Sequence, residues 1–280
     1  MKRNRIADLV NDIIFEAGKT PARFGYDREM PDILRMVRRD NSPIDVLDVG
    51  CGDGKYCMWF ANDRYVGIDP GLAKDEIVVS SNRRFVRGTM QNLPFIDASF
   101  DLVFSSLVLE HIENVRDALS SLRRVLRPNG VLVLTTATKY ARLIGEMQNF
   151  FWKIDDEHEG QAHHYFETDV LIGHHLASGF AKADARYIGG PFELCLECFY
   201  TFLLYAGMRM RGEMYWHDRD SIIISSGIGN DQFFSYSLTI RRLARAFLAF
   251  PKYLGNLFSW WIDKKLSVRK TKVICIVATT

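Results

Sequence analysis

The chain has 280 residues, 48% of them hydrophobic and 25% charged, with a formal net charge of +2. Those fractions exclude a disordered chain, and 20 glycines and 8 prolines without period exclude a collagen-like fibre. Five cysteines are too sparse and odd in number for a disulfide framework, which points to a reducing, cytoplasmic setting.

The opening segment, MKRNRIADLVNDIIFEAG, has neither the apolar core nor the small-residue cleavage site of a signal peptide. No run of about 18 residues is free of charge, as an ordinary membrane span requires. Helices are predicted around Arg5–Ala17 and Pro31–Arg39, with the loop GKTPARFGYD between them. Residues 1–43 are expected to form a helical lid, with Tyr26 reaching over a binding pocket as a candidate catalytic residue.

From Ile44 the pattern changes to short apolar, β-branched runs: Ile44–Val49, Tyr65–Ile68, Arg84–Arg87, Phe100–Phe104 and Val131–Thr135. Between the last two, Val115, Leu119, Leu122, Val125 and Leu126 recur at helical spacing, and Arg127-Pro128-Asn129-Gly130 makes a turn. A helix is predicted at Lys55–Ala61 and another at Glu167–Ser178, capped by Thr168 and stopped at Gly179. Lys182–Ile188 and Lys272–Ala278 read as the last two strands. Strands alternating with helices imply βαβ units and a mostly parallel sheet.

Asp48-Val49-Gly50-Cys51-Gly52-Asp53-Gly54 follows the first of these strands directly. Glycines there let the backbone turn tightly and approach a ligand. The pattern is G-x-G-x-G, not the dinucleotide G-x-G-x-x-G, and it is not a P-loop because Tyr56 follows Lys55. The second strand ends on Asp69, nineteen residues after Gly50, where a carboxylate can accept both hydroxyls of a ribose.

Four blocks in this order, VLDVGCGDG, VGIDP, NLPFIDASFDLVFSSLVLEHI and LRRVLRPNGVLVLTT, resemble the class I S-adenosylmethionine-dependent methyltransferases. The nearest likeness is to the small-molecule branch related to quinone-biosynthesis methyltransferases. It covers residues 44–136 well and HHYFETDVLIGHHLASGF (163–180) weakly. The resemblance implies an α/β, Rossmann-like, seven-stranded mostly parallel sheet, with helices on both faces and an antiparallel last strand.

It further implies S-adenosylmethionine as the cofactor. Asp48, Gly50, Gly52 and Gly54 would wrap its methionine part, Asp69 its ribose, and Met90 and Gln91 its adenine. Ser105 and Ser106 would approach the sulfonium end. Thr89 stands where the family often has an acid for the adenine amine, and the connection from Asp69 to Arg83 is short for a crossover helix.

Methyl transfer needs no enzyme nucleophile, so a missing Ser-His-Asp or Cys-His signature carries no weight against it. A hydroxyl acceptor calls for a base, and His111 and His163 are the candidates. His164 is an alternative to His163 at the substrate site, and most of the other histidines of the 158–175 cluster read as surface or capping residues. Cys195 and Cys198 form a lone C-x-x-C, read as buried apolar residues, and no metal site is expected.

Residues 44–190 form the expected core, 191–271 an aromatic-rich basic insertion and 272–280 the core's final strand. Residues 1–190 carry −3 and residues 191–280 carry +5. Leu243, Phe247, Phe250, Leu254, Leu257 and Trp261 trace an apolar helical face that Pro251 divides, flanked by basic residues over 241–265. That face either packs on the core or meets an anionic membrane surface. Nucleic acid is a poor fit, since no binding motif accompanies the narrow basic stretch.

The reading is a methyltransferase acting on a small-molecule or lipid- or sugar-linked acceptor, at oxygen. Two alternatives stay open: a non-catalytic cofactor-binding or regulatory protein on the same fold, and a methyltransferase of RNA or protein.

Overall fold

The computed structural model describes residues 21–73, 76–139, 165–193, 195, 196, 199, 252–264 and 273–280. The chain divides into two compact units. One comprises Met1–Arg28, Ile144–Asp155 and Gly189–Lys270, and the other Glu29–Leu143, Asp156–Ile188 and Thr271–Thr280.

The second unit is built on an eight-stranded sheet: β1 (Asp45–Val49), β2 (Arg64–Asp69), β3 (Glu76–Ser80), β4 (Arg83–Arg87), β5 (Phe100–Ser106), β6 (Leu126–Ala137), β7 (Lys182–Ile188) and β8 (Val273–Thr279). Their order across the sheet is β3-β4-β2-β1-β5-β6-β8-β7. The pairs β1–β2, β1–β5, β2–β4 and β5–β6 are parallel. The last strand, β8, runs antiparallel to β6 and β7 and lies between them, as expected of the final strand.

The expected seven strands become eight because of β3. The link from β2 to β4 is too short for a helix, so the chain returns along the sheet edge as β3. A tight turn then sets β4 between β3 and β2, antiparallel to the former and parallel to the latter.

Three helices are fully bounded: α1 (Pro21–Met36), α2 (Val115–Val125) and α3 (Thr168–Ala177). The segment expected to be a loop before Pro31 is helical from Pro21 onward, with Pro31 inside α1. Pro21 suits a first helical position, where its missing N–H is not needed. The helix expected at Arg5–Ala17 lies outside the described residues. The helix expected at Lys55–Ala61 is instead a short 3-10 turn, Cys57–Phe60.

Asn114 caps α2 by accepting a hydrogen bond from the Asp117 N–H. The buried positions Val115, Ala118, Leu119, Leu122 and Val125 form the stripe that faces the sheet. α2 and α3 pack on each other, α2 on β6, and α3 on β7 and β8. The turn expected at Arg127–Gly130 sits inside β6 as a bulge: Phe100 pairs with Leu126, but Leu102 pairs with Val131. Asn129, at φ 62°, takes the left-handed conformation this requires.

Strand alternation splits the core. Leu47, Val49, Ile68 and Val103 join the apolar cluster of α2 and α3. On the other face Phe60 contacts the rings of Tyr65 and Phe104, and Tyr65 that of Phe85. Among the described residues, no helix is long and apolar enough to cross a membrane.

Candidate active site

The site is assembled at the carboxyl ends of β1, β2 and β5. β1 is flanked by β2 on one side and β5 on the other, so its C-terminal end lies where the chain direction of crossover reverses. Open α/β sheets bind ligands in the crevice at such a point.

The loop after β1 is shaped by Gly50 (φ 76°), Gly52 (φ 55°) and Gly54 (φ 79°). All three lie in the left-handed region that side chains disfavour. The backbone N–H groups of Gly50 and Cys51 both donate to the Ile68 carbonyl, at 2.8 and 3.1 Å, which ties the loop to β2. A Cβ on Gly50 would collide with Val108, and one on Gly54 would lie 2.7 Å from the Phe85 ring. A Cβ on Gly52 would meet no atom within 4 Å. Gly52 is therefore the one member of the triplet whose open side borders unfilled space.

Asp69 closes β2. Its Oδ2 accepts the Gly52 N–H at 2.9 Å and its Oδ1 accepts the Gly71 N–H at 2.8 Å. Asp48 is buried at the end of β1, and the Tyr65 hydroxyl donates to its Oδ2 at 2.6 Å. Burial pushes the Asp48 carboxyl up to about 7. The Tyr65 hydrogen bond opposes that rise, nearby Asp69 adds to it, and Lys55 reduces it. Burial, with the Asp48 and Asp69 charges adding, also raises the Cys51 thiol, which is thus a poor nucleophile.

On the β5 side, the Ser105 hydroxyl donates to the Val49 carbonyl at 2.9 Å, and that of Ser106 to the Tyr56 hydroxyl at 3.4 Å. Leu107 follows at φ 56°, a left-handed conformation rare for a leucine. A 3-10 turn, Leu109–His111, comes next and leaves His111 exposed. Glu110 is buried, accepts a hydrogen bond from the Thr136 hydroxyl at 2.9 Å, and is raised from its ordinary range by burial.

Met90 is buried in the core cluster, whereas Gln91 is exposed and its carbonyl accepts the Ser121 hydroxyl at 2.9 Å. Arg124 on α2 fixes the same loop by donating to the carbonyls of Leu93 and Phe95 and pairing with Asp97.

The structure thus brings Asp48, Gly50, Gly52, Gly54, Asp69, Ser105 and Ser106 to one edge of the sheet. Tyr26 lies in α1, within the other compact unit, and is buried. It occupies a helix, not the expected loop, because the helix starts before it. His163 and His164 lie outside the described residues. His175 is buried, not at the surface as expected; its Nδ1–H donates to the Leu171 carbonyl at 2.7 Å, and its ring is lowered to about 4, mainly by burial. Cys195 is exposed, against the expectation of a buried residue, and Cys198 lies outside the described residues. Among the described residues no group of His, Cys, Asp and Glu is arranged to hold a metal.

Sequence reasoning missed Tyr65 and Arg124. Tyr65 stands two residues before Gly67, which pairs with Asp48, so it shares Asp48's face of the sheet. That parity was readable once the register was known. Arg124 had no local signal, since its partners lie about 30 positions away.

The model of the methyltransferase domain family matches residues 47–134. The malonyl-[acyl-carrier protein] O-methyltransferase of Pseudescherichia vulneris is 32% identical over 138 residues, 46% of this chain and 55% of that protein. An uncharacterised methyltransferase of Mycobacterium sp. (strain JLS) is 36% identical over 143 residues, 47% of this chain and 56% of its own length. The chain thus spans about half the length of these curated relatives. A crystal structure from Anabaena variabilis, described as a methyltransferase of an antibiotic biosynthesis pathway, superposes with a TM-score of 0.52 at 18% identity. It covers 90% of this chain and 97% of that one, a likeness of fold.

Proposed function

We propose that this chain, whose residues 47–134 are a class I S-adenosylmethionine-dependent methyltransferase domain, methylates an oxygen of a small-molecule or lipid-linked acceptor. The observation that carries the reading is the cradle at the ends of β1 and β2. Three glycines there have positive φ, and Asp69 is hydrogen-bonded to the middle one.

The residues fit the cofactor on one structural ground above all: the open side of Gly52 leaves room that a side chain would fill. In this reading Asp48, Gly50, Gly52 and Gly54 border the methionine part, and Asp69 accepts from the ribose hydroxyls. Met90 and Gln91 flank the adenine, and the backbone at Ser105 and Ser106 borders the sulfur. S-adenosylmethionine, when bound, supplies a methyl group already activated by the sulfonium charge.

The chain's own work is to position the acceptor and exclude water, which lowers the barrier by several kcal/mol without an enzyme nucleophile. His111, on the exposed turn beyond β5, is assigned as the base that takes the proton of an acceptor hydroxyl. Buried Glu110 beside it anchors that turn to β6 through Thr136. Oxygen as the target is supported by the relatives that methylate malonyl-acyl carrier protein at oxygen. Residues 44–190 and 272–280 are taken as the catalytic core, and 1–43 and 191–271 as the segments that select the acceptor.

Calorimetry of the full chain tests the reading. S-adenosylhomocysteine is expected to bind and NAD is not. Asp69→Ala is expected to weaken binding at least about tenfold, the worth of one lost charged hydrogen bond. Binding of NAD in place of S-adenosylhomocysteine overturns the assignment.

A further inference from the structure

Residues 252–264 form a helix in the first compact unit, and its faces are inverted relative to an ordinary surface helix. Asn256 (0% exposed), Ser259 (4%) and Asp263 (5%) are buried. Leu254 (44%), Phe258 (62%) and Trp261 (53%) are exposed. At 3.6 residues per turn, positions 254, 258 and 261 share one side and 256, 259 and 263 the opposite side.

The inward face is held by specific bonds. Asp263 accepts the backbone N–H groups of Phe192 and Glu193, at 3.0 and 2.7 Å, at the start of the helical segment from Pro191. The helix cannot roll its apolar side inward without breaking that cap. The outward apolar face is therefore a product of the fold.

Its electrostatic setting is one-sided. Residues 241–272 contain nine basic residues and a single acid. That acid is Asp263, which is buried and committed to the cap. Lys264 is exposed, its Nζ 5.0 Å from the Trp260 ring. An exposed apolar stripe with a tryptophan, on a helix within a sequence stretch of nine basic residues and one acid, matches the chemistry of a bilayer interface with anionic headgroups. The part of the basic stretch before residue 252 and after 264 lies outside the described residues.

We propose that the Leu254–Phe258–Trp261 face docks this protein onto the surface of an anionic lipid bilayer. The helix lies in the interface plane with these side chains below the headgroups and Lys264 among them. This does not depend on the methyl-transfer reading, and it would bring the protein to lipid-linked acceptors.

Co-sedimentation of the full chain with phosphatidylcholine vesicles, with and without phosphatidylglycerol, tests it. Binding is expected only with phosphatidylglycerol and is expected to weaken with added salt. Phe258→Ser with Trp261→Ser should reduce partitioning at least about tenfold, since each removes a buried aromatic side chain from the bilayer. Lys264→Glu, which leaves the apolar face intact, should reduce it several-fold. Ile96→Ser, at an exposed apolar position of the other unit (82%), should leave it unchanged. Equal partitioning of wild type and the double variant overturns the proposal. So does a wild type that stays in the supernatant while light scattering shows a dimer that the double variant abolishes.

Discussion

The Tyr65 hydroxyl donates to the buried Asp48 carboxylate over 2.6 Å, linking neighbouring strands β2 and β1 just below the glycine loop. This bond opposes the upward pull of burial on Asp48. Tyr65→Phe removes only the donor and leaves a buried acceptor unsatisfied. Stability should fall by about 1–3 kcal/mol in urea unfolding. In a carbon-detected titration of the aspartate carboxyls, the Asp48 midpoint should move further up. An unmoved midpoint would mean that Tyr65 does not control that charge.

Asp48 also gives a pH dependence of definite sign. Its folded value, about 7, lies above the ordinary aspartate value of 3.8. Between the two, the folded protein keeps a proton that the unfolded chain has released. Stability from this group therefore falls as pH rises through that window, by on the order of 2–4 kcal/mol. Asp48→Asn removes the slope. The variant should gain on the wild type at pH 8 relative to pH 5, as read by thermal unfolding at both. If Asp48 borders the methionine part of the cofactor as proposed, its ionised carboxylate would favour that part's cationic amino group, and affinity for S-adenosylhomocysteine should rise from pH 6 to pH 8.

The glycine loop separates strain from occupancy. Gly50 and Gly52 both have positive φ, so alanine at either costs about 1–2 kcal/mol of conformational strain. At Gly50 the new methyl also collides with Val108, whereas at Gly52 it meets nothing. Gly50→Ala should lose the larger share of stability. Gly52→Ala should stay folded yet bind S-adenosylhomocysteine at least about tenfold more weakly, because its methyl enters the ligand's space. Thermal unfolding beside calorimetry distinguishes the two effects. Undiminished affinity in Gly52→Ala would move the ligand away from this loop.

Arg124 is expected to act at a distance on the same site. Its guanidinium ties α2 to the loop through Leu93, Phe95 and Asp97, and that loop carries Met90 and Gln91. Arg124→Ala should cost about 1–3 kcal/mol. It should also speed amide exchange over residues 91–97 and weaken cofactor binding several-fold. Lysine at this position should rescue little, because it cannot reach several acceptors in a planar fork.

The parts of this protein visible in its sequence are those governed by neighbours along the chain. β1, β2, β4, β5, β7 and β8 are short runs bounded by turn residues, and their observed limits fall within a residue or two of those expected. α2 carries an unbroken helical period with its cap at Asn114. The three glycines required by a left-handed loop announce themselves by type alone.

What the tertiary structure decided are relationships between distant segments. A return path was needed between β2 and β4, and Glu76–Ser80 met that need as an edge strand because the link was too short for a helix. Lys55–Ala61 had the composition for a helix, yet packing of Phe60 and Trp59 against Phe104 leaves only a 3-10 turn. Tyr65 reached Asp48, and Arg124 reached Leu93, only when strand register and helix packing placed them together. The outward turn of Leu254, Phe258 and Trp261 depends on the Asp263 cap, seventy residues from the groups it binds. Periodicity and turn chemistry are local and so leave a local trace. Pairing across a sheet and the burial of a charge are settled by whichever partner the folded chain brings near.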